Sequence, residues 1–118
     1  MKQEKFNAIN LVRNLIIRID NNLDNFPKSD IEIKNRIRNL GYDLLEYIYE
    51  ANTTLNNELK VVLLDKSIAK IKVIDFLINL SYDKKIINQK RYIKLGEAMD
   101  DIVKYIVGWK KSIKEGHS

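Results

Sequence analysis

The chain has 118 residues, of which 45% are hydrophobic and 31% charged, with four glycines and one proline. These proportions favour one helical globular domain over residues 1–118 and argue against disorder, and the absence of cysteine excludes disulfides, thiolate metal sites and a cysteine nucleophile. The formal net charge of +5 suits a polyanionic partner, although many small soluble proteins are equally basic.

The first predicted helix covers about residues 3–25. Its apolar residues recur at spacings of three and four, which is the period of a helix with one buried face. Pro27 ends it, because a proline disfavours helical geometry in the residue before it. Either Ser29 or Asp30 can cap a second helix over about residues 30–51, and an acidic residue three positions after Ser29 fits a capping box.

The second helix contains one glycine and several tyrosines, which indicate contacts of this helix with its neighbours. Gly41 lies in the middle of the helix at a cost of about 1 kcal/mol relative to alanine, which indicates a close contact between helices. Tyr42, Tyr47 and Tyr49 add aromatic surface. Such rings can stack on bases, but packing or a protein interface is their more common use.

The third predicted helix, over about residues 58–82, is unusually apolar. Of the 22 residues from Leu59 to Leu80, 14 are apolar, whereas a surface helix has one apolar stripe and a broad polar face. Its polar residues form a narrow line of Glu58, Asp65, Lys72 and Asn79. One apolar track consists of Leu64, Ile68, Ile71 and Ile78. The other consists of Val62, Ala69, Val73, Phe76 and Leu80.

Two apolar tracks predict two apolar neighbours, of which the bundle supplies one and a second chain the other. The sequence does not say which track faces which neighbour. Ile68, Ile71 and Ile78 of the third helix, with Trp109 of the fourth, are our candidate interface residues. Lysine in place of Ile71 or Ile78 should then dissociate the assembly, or unfold the bundle if these residues belong to its core.

A fourth helix is predicted over about residues 88–114, with Asn88 as its cap. Four helices joined by short connections predict an all-α fold, an up-down-up-down antiparallel four-helix bundle. No apolar run approaches the roughly 20 residues of a membrane span. The first ten residues also lack the apolar core of a signal peptide, so we expect a cytoplasmic protein.

No catalytic constellation is visible in the sequence. The one histidine, His117, lies in the C-terminal tail, no Glu-x-x-His pair is present, and the glycines are too scattered for a phosphate loop. The carboxylates Glu46 and Glu50, like the group of Glu97, Asp100 and Asp101, fit solvated helix faces paired with lysines. The sequence therefore predicts a protein that is not an enzyme and that uses neither a metal nor a cofactor.

The basic residues are unevenly distributed over the predicted bundle. Residues 18–40 and 74–95 form one half, and they hold ten basic and six acidic residues, a net of +4, against +1 for the remainder. Two helix N-termini at this end add N–H donors and positive dipole ends. The candidate nucleic-acid-binding residues are Lys34, Arg38, Lys84, Lys85, Lys90, Arg91 and Lys94. A lysine-rich end that only keeps the protein soluble is the alternative.

Three stretches carry a resemblance to a known family, namely LGYDLLEYIYEANTTLN, LLDKSIAKIKVIDFLINLSYDKKIIN and YIKLGEAMDDIVKYIVGWKKSI. Between Leu40 and Ile113 the chain resembles the four-helix-bundle proteins that include the accessory variability determinant of diversity-generating retroelements. The same superfamily contains proteins encoded in ribosomal-RNA intervening sequences. The cues are the apolar third helix, the short loop after it and the element Val107-Gly108-Trp109.

This resemblance implies both an assembly and a function. Members of the retroelement branch form barrel-shaped homopentamers, bind nucleic acid and associate with a reverse transcriptase. They support the mutagenic copying of a template RNA into cDNA without catalysing it. The resemblance thus implies RNA or DNA and a reverse transcriptase as partners. The alternative is a structural or protein-interaction bundle of the ribosomal-RNA branch, with no nucleic-acid role and a partner on its tyrosine-rich and acidic faces.

Overall fold

Four long helices and one short turn of 3-10 helix make up the computed structural model, which describes the backbone of residues 2–116 and the side chains of residues 8–116. The helices are α1 (Lys2–Asn22), α2 (Ile31–Thr53), α3 (Asn57–Asp83) and α4 (Gln89–Lys114), with the 3-10 helix at Lys28–Asp30. Each helix packs against the next, and α1 also packs against α4. No strand occurs among residues 2–116, so the predicted all-α four-helix bundle is confirmed.

The polar connections start two of the helices through asparagine caps. The backbone N–H of Leu59 donates to Oδ1 of Asn56 at 3.1 Å, and that of Arg91 donates to Oδ1 of Asn88 at 2.8 Å. Each bond satisfies one of the N–H groups that have no partner inside the first turn of a helix. The predicted cap at Asn88 is therefore confirmed.

The prediction of a capping box at the start of α2 is wrong. Residues 28–30 form the 3-10 helix, and Asp30 takes the N-cap position without a side-chain bond to the helix. Its carboxylate lies 3.2 Å from Nζ of Lys84 instead. The ion pair ties the start of α2 to the end of α3, and Ser29 and Glu32 do not form the reciprocal bonds of a capping box.

The first helix ends three residues earlier than predicted. The side chain of Asn22 donates from Nδ2 to the carbonyl of Arg18 at 2.7 Å, and the N–H of Leu23 donates to the carbonyl of Ile19 at 3.1 Å. Leu23 lies outside the helix and is nevertheless fully buried. The chain after α1 thus contributes to the core before it turns towards α2.

The core is formed by one face of each helix. From α3 it takes residues that follow the helical period, namely Leu64, Ile71, Ile74 and Ile78. Ser67 and Ser81 are buried on the same face, and each hydroxyl donates at 2.8 Å to the carbonyl four residues earlier. Because these hydroxyls bond to their own helix, the core carries them without an unsatisfied donor.

The two apolar tracks of α3 have opposite environments. Ile71 and Ile78 are buried, and Ile68 is half-buried against the core, whereas the other track is exposed to solvent except for the half-buried Leu80. Trp109 of α4 is also a core residue, with 2% of its surface exposed. The four candidate interface residues are therefore inside the subunit or at the edge of its core, which corrects their assignment. A surface contact of α3 has to use the exposed track.

Gly41 allows α1 and α2 to approach closely, as predicted. A Cβ atom at this position would lie 3.3 Å from Cγ1 of Ile16, so a larger side chain has to push aside the α1 side chains that pack on this glycine. We expect Gly41→Leu to destabilise the protein by about 1–3 kcal/mol. Gly108→Leu is the control, because no atom lies within 4 Å of a Cβ there, and it should stabilise the helix by up to about 1 kcal/mol. Urea unfolding followed by circular dichroism measures both, and equal changes would contradict the role of Gly41.

Candidate nucleic-acid interface

The seven basic candidates lie at the end of the bundle where α1 and α3 finish and α2 and α4 begin. Lys34 and Arg38 are in the first turns of α2, and Lys84 and Lys85 are in the connection between α3 and α4. The other three, Lys90, Arg91 and Lys94, are in the first turns of α4. The fold therefore collects at one end residues that are up to 60 positions apart in the chain.

Three of the seven cations are paired with carboxylates of the same end. The pairs are Arg38 Nε with Asp20 Oδ1 at 3.2 Å, Lys84 Nζ with Asp30 Oδ1 at 3.2 Å, and Arg91 Nη1 with Asp24 Oδ1 at 3.0 Å. Exposed pairs of this kind contribute little to stability, but they offset much of the field that an approaching phosphate would meet. The count of ten basic residues at this end thus overstates the number of cations that are available to a ligand.

Arg91 has the most constrained position of the seven. Besides Asp24 it binds the main chain, because Nη1 donates to the carbonyl of Asn22 at 3.3 Å. The hydrogen bond that Arg91 donates to the Asp24 carboxylate is the main reason that the pKa of Asp24 lies below its ordinary value, with a backbone hydrogen bond and the charge of Lys34 acting in the same direction. Arg91 therefore tethers the start of α4 to the end of α1.

Four candidates are left for a ligand, of which Lys34 on α2 is half-buried and the three exposed ones are on the α4 side. Lys85, Lys90 and Lys94 are exposed, and none of them forms an ion pair with another side chain of residues 8–116. Lys85 has a positive φ of 63°, and its N–H donates to the carbonyl of Tyr82 at 2.9 Å. It holds the left-handed position that ends a helix in a Schellman motif, where glycine is the usual residue.

A groove of about 560 Å³ lies between the two connections at this end. Its lining consists of Asn25, Tyr82, Asp83, Lys85, Ile86, Ile87, Asn88 and Arg91. Two cations and two asparagines give it donors for an anion, and the volume is that of a small-ligand site. Asp83 is the acidic member of the wall, and it opposes an anion.

Two half-buried tyrosines stack beside this groove. The rings of Tyr82 and Tyr92 are 4.4 Å apart between centroids and inclined by 7°, and the hydroxyl of Tyr92 donates to Oδ1 of Asn79. Because each ring covers one face of the other, at most one face of each ring is left for a base. The sequence placed both tyrosines near this end but did not indicate the stack, since ten residues and a connection separate them.

The described part of the chain contains neither a membrane-spanning helix nor a cluster of metal ligands. Over residues 2–116, no helix is long and apolar enough to cross a membrane, and no group of three or more His, Cys, Asp or Glu side chains is placed to hold a metal ion. His117 lies outside the described residues. Comparison with known proteins found no matching family model, no matching curated protein and no matching solved structure.

Proposed function

We propose that this protein is a non-catalytic, oligomeric accessory protein that binds nucleic acid at its basic end. We further propose that it acts in the cytoplasm with the reverse transcriptase of a retroelement and supports mutagenic copying of a template RNA. The nucleic-acid part is supported by the geometry of the basic end. The reverse-transcriptase part is supported by the sequence resemblance alone.

The observation that carries the proposal is the exposed set of Lys85, Lys90 and Lys94 next to the groove. Lys90 and Lys94 are four residues apart on one helix, so they lie on the same face of α4. Lys85 stands at the rim of the groove that Arg91 also lines. A row of lysines beside a polar groove fits a phosphate backbone, and the arrangement contains no device for reading bases.

Titration of a fluorescently labelled single-stranded RNA with the protein tests this function. Because bound lysines release counterions from the backbone, affinity should fall between 50 and 200 mM salt by about tenfold to a hundredfold for three to five phosphate contacts. The same titration with single-stranded DNA shows whether the 2′-hydroxyl matters. Undetectable anisotropy change at 50 mM salt with both ligands would contradict the proposal.

Removing the carboxylate that pairs with Arg91 should strengthen binding. Asp24→Asn leaves the guanidinium free for a phosphate, and one further contact raises affinity for single strands by up to about tenfold at 50 mM salt and steepens the salt slope by about 0.7. Glu46→Gln makes the same change of charge on an exposed residue in the C-terminal half of α2, away from the basic end. This variant should bind RNA about as tightly as the unmodified protein. An equal gain in both variants would show that net charge alone attracts the RNA.

The second candidate function is docking of a protein without any nucleic-acid role. A groove of about 390 Å³ on α2 favours it, because its lining contains the exposed rings of Tyr42 and Tyr49 together with Glu46 and Glu50. Aromatic residues are enriched at protein interfaces. This function predicts binding to a protein that persists in salt, and no affinity for RNA, so the salt titration separates the two candidates.

A further inference from the structure

The exposed track of α3 belongs to a longer seam that the fold of one subunit does not use. The seam, defined here as the α3 seam, consists of positions spaced alternately by three and four: Leu59, Val62, Lys66, Ala69, Val73, Phe76 and Leu80. Leu80 is half-buried and the other six are exposed, with Phe76 at 62%. This spacing is the a and d pattern of a coiled coil, in which one helix packs along another helix.

A further exposed leucine lies in the connection that precedes α3. Leu55 precedes Leu59 by four residues, and 95% of its surface is exposed, the largest fraction among the large hydrophobic residues described. The core of the subunit explains neither Leu55 nor Phe76. The apolar line from Leu59 to Leu80 needs an apolar partner of similar length.

The charges along one edge of the seam indicate the direction of that partner. Glu58 and Asp65 are acidic, Lys72 is basic and Asn79 is neutral, and the four are seven residues apart. When Leu59 and Val73 are taken as a positions of the heptad, these four residues occupy the g positions. The g positions of two helices meet when the helices run antiparallel. In that arrangement a second copy of the same helix can place its Lys72 beside Asp65 and its Asp65 beside Lys72.

One register satisfies both the apolar and the charged positions. With Val62 opposite Val73 of the second copy, Leu59 meets Phe76 and the long stem of Lys66 crosses the small Ala69. Shifting the register by one heptad in the direction of Leu80 would place Lys72 against Lys72, which is repulsive.

We propose that the α3 seam pairs antiparallel with the α3 seam of a second copy of this chain, around a two-fold axis between Ser67 and Ile68. The pairing rests on the proposed function only in taking the protein to be an oligomer. It supplies the contact between two copies in that oligomer. Lys72 is exposed and forms no ion pair within residues 8–116, so it is available to the second copy. Asp65, which binds Lys110 of its own subunit, keeps a second oxygen for that contact.

Cysteine cross-linking tests the direction and the register, because the chain contains no natural cysteine. In the variant Val62→Cys/Val73→Cys the two sulfurs of one chain are about 16 Å apart along the helix, which is too far for a disulfide. Antiparallel pairing brings each into reach of the other copy, so mild oxidation should convert most of the protein into a covalent dimer. Val62→Cys alone should remain monomeric on a non-reducing gel, whereas a parallel pair would cross-link it.

A second pair of exposed residues gives the background of random collisions. Asn14→Cys/Asn21→Cys carries two exposed cysteines on α1, which packs against α2 and α4 rather than against α3, and it should form little dimer. Light scattering of the unmodified protein at micromolar concentration should give twice the 13.9 kDa of the chain. Phe76→Glu should return it to one copy with unchanged helical circular dichroism.

The outcomes distinguish this pairing from the proposed function. A monomer, or a pentamer without the cross-link between positions 62 and 73, would overturn the pairing. Salt-sensitive RNA binding by such a protein would leave the nucleic-acid function in place. Conversely, a cross-linked dimer that binds no RNA at 50 mM salt would support the pairing and contradict the function.

Discussion

Replacing Lys85, Lys90 and Lys94 together by glutamine is expected to lower the affinity for single-stranded RNA by about two to three orders of magnitude at 50 mM salt. Each phosphate contact to a single strand releases about 0.7 counterion. The loss of three contacts should therefore lower the salt slope by about two. The substitutions are at exposed positions, and surface changes of this kind leave stability within about 0.5 kcal/mol. Fluorescence anisotropy at several salt concentrations measures both quantities.

A matched variant separates location from total charge. Glutamine at Lys104, Lys111 and Lys114 removes the same three charges from exposed positions in the other half of α4. This variant should keep most of the affinity and nearly all of the salt slope. Equal losses in the two triple variants would mean that the RNA follows the net charge of the protein, and the basic end would then not be the binding site.

Lysine at Ile78 is expected to unfold the subunit. Ile78 is fully buried in the core, where a lysine loses the packing of the isoleucine and leaves a charge without a partner. The cost should exceed about 4 kcal/mol, a large part of the 5–15 kcal/mol that stabilises a typical domain. For a domain of this size the melting temperature should fall by about 15 °C or more, as measured by circular dichroism.

Phe76→Lys is the control for that variant, because it changes a residue of the same helix only two positions away. Phe76 is exposed in the subunit, so the lysine reaches water and the bundle should keep its helical content. This variant should lose the proposed association with a second copy but keep the fold of the subunit. Comparable melting temperatures for the two variants would contradict the assignment of Ile78 to the core and of Phe76 to the surface.

The helices of this protein were predictable because their signals are local. The apolar period, the polar connections and the cap at Asn88 are all properties of neighbouring residues, and the structure has four helices near the predicted bounds. The start of α2 was not predictable in the same way. Asp30 has the residue type of a helix cap, but Lys84, which lies far along the chain, takes its carboxylate.

The candidate site shows the same limit. The excess of basic residues at one end followed from the order of the helices, and the structure places the seven candidates there. Their availability did not follow, because the carboxylates of Asp20, Asp24 and Asp30 belong to other elements and pair across the bundle. Ion pairs between distant residues leave no periodic signal in a sequence.

The sequence by itself determined that α3 has two apolar tracks separated by a narrow polar line. Only the tertiary structure decided which track is the core, since a helical pattern is unchanged when the helix turns about its own axis. Packing against α2 and α4 sets that rotation, and it buries Ile71 and Ile78 while leaving Val62, Val73 and Phe76 in solvent. The residues with the most core-like pattern are therefore core, and the proposed contact uses those that the core leaves uncovered.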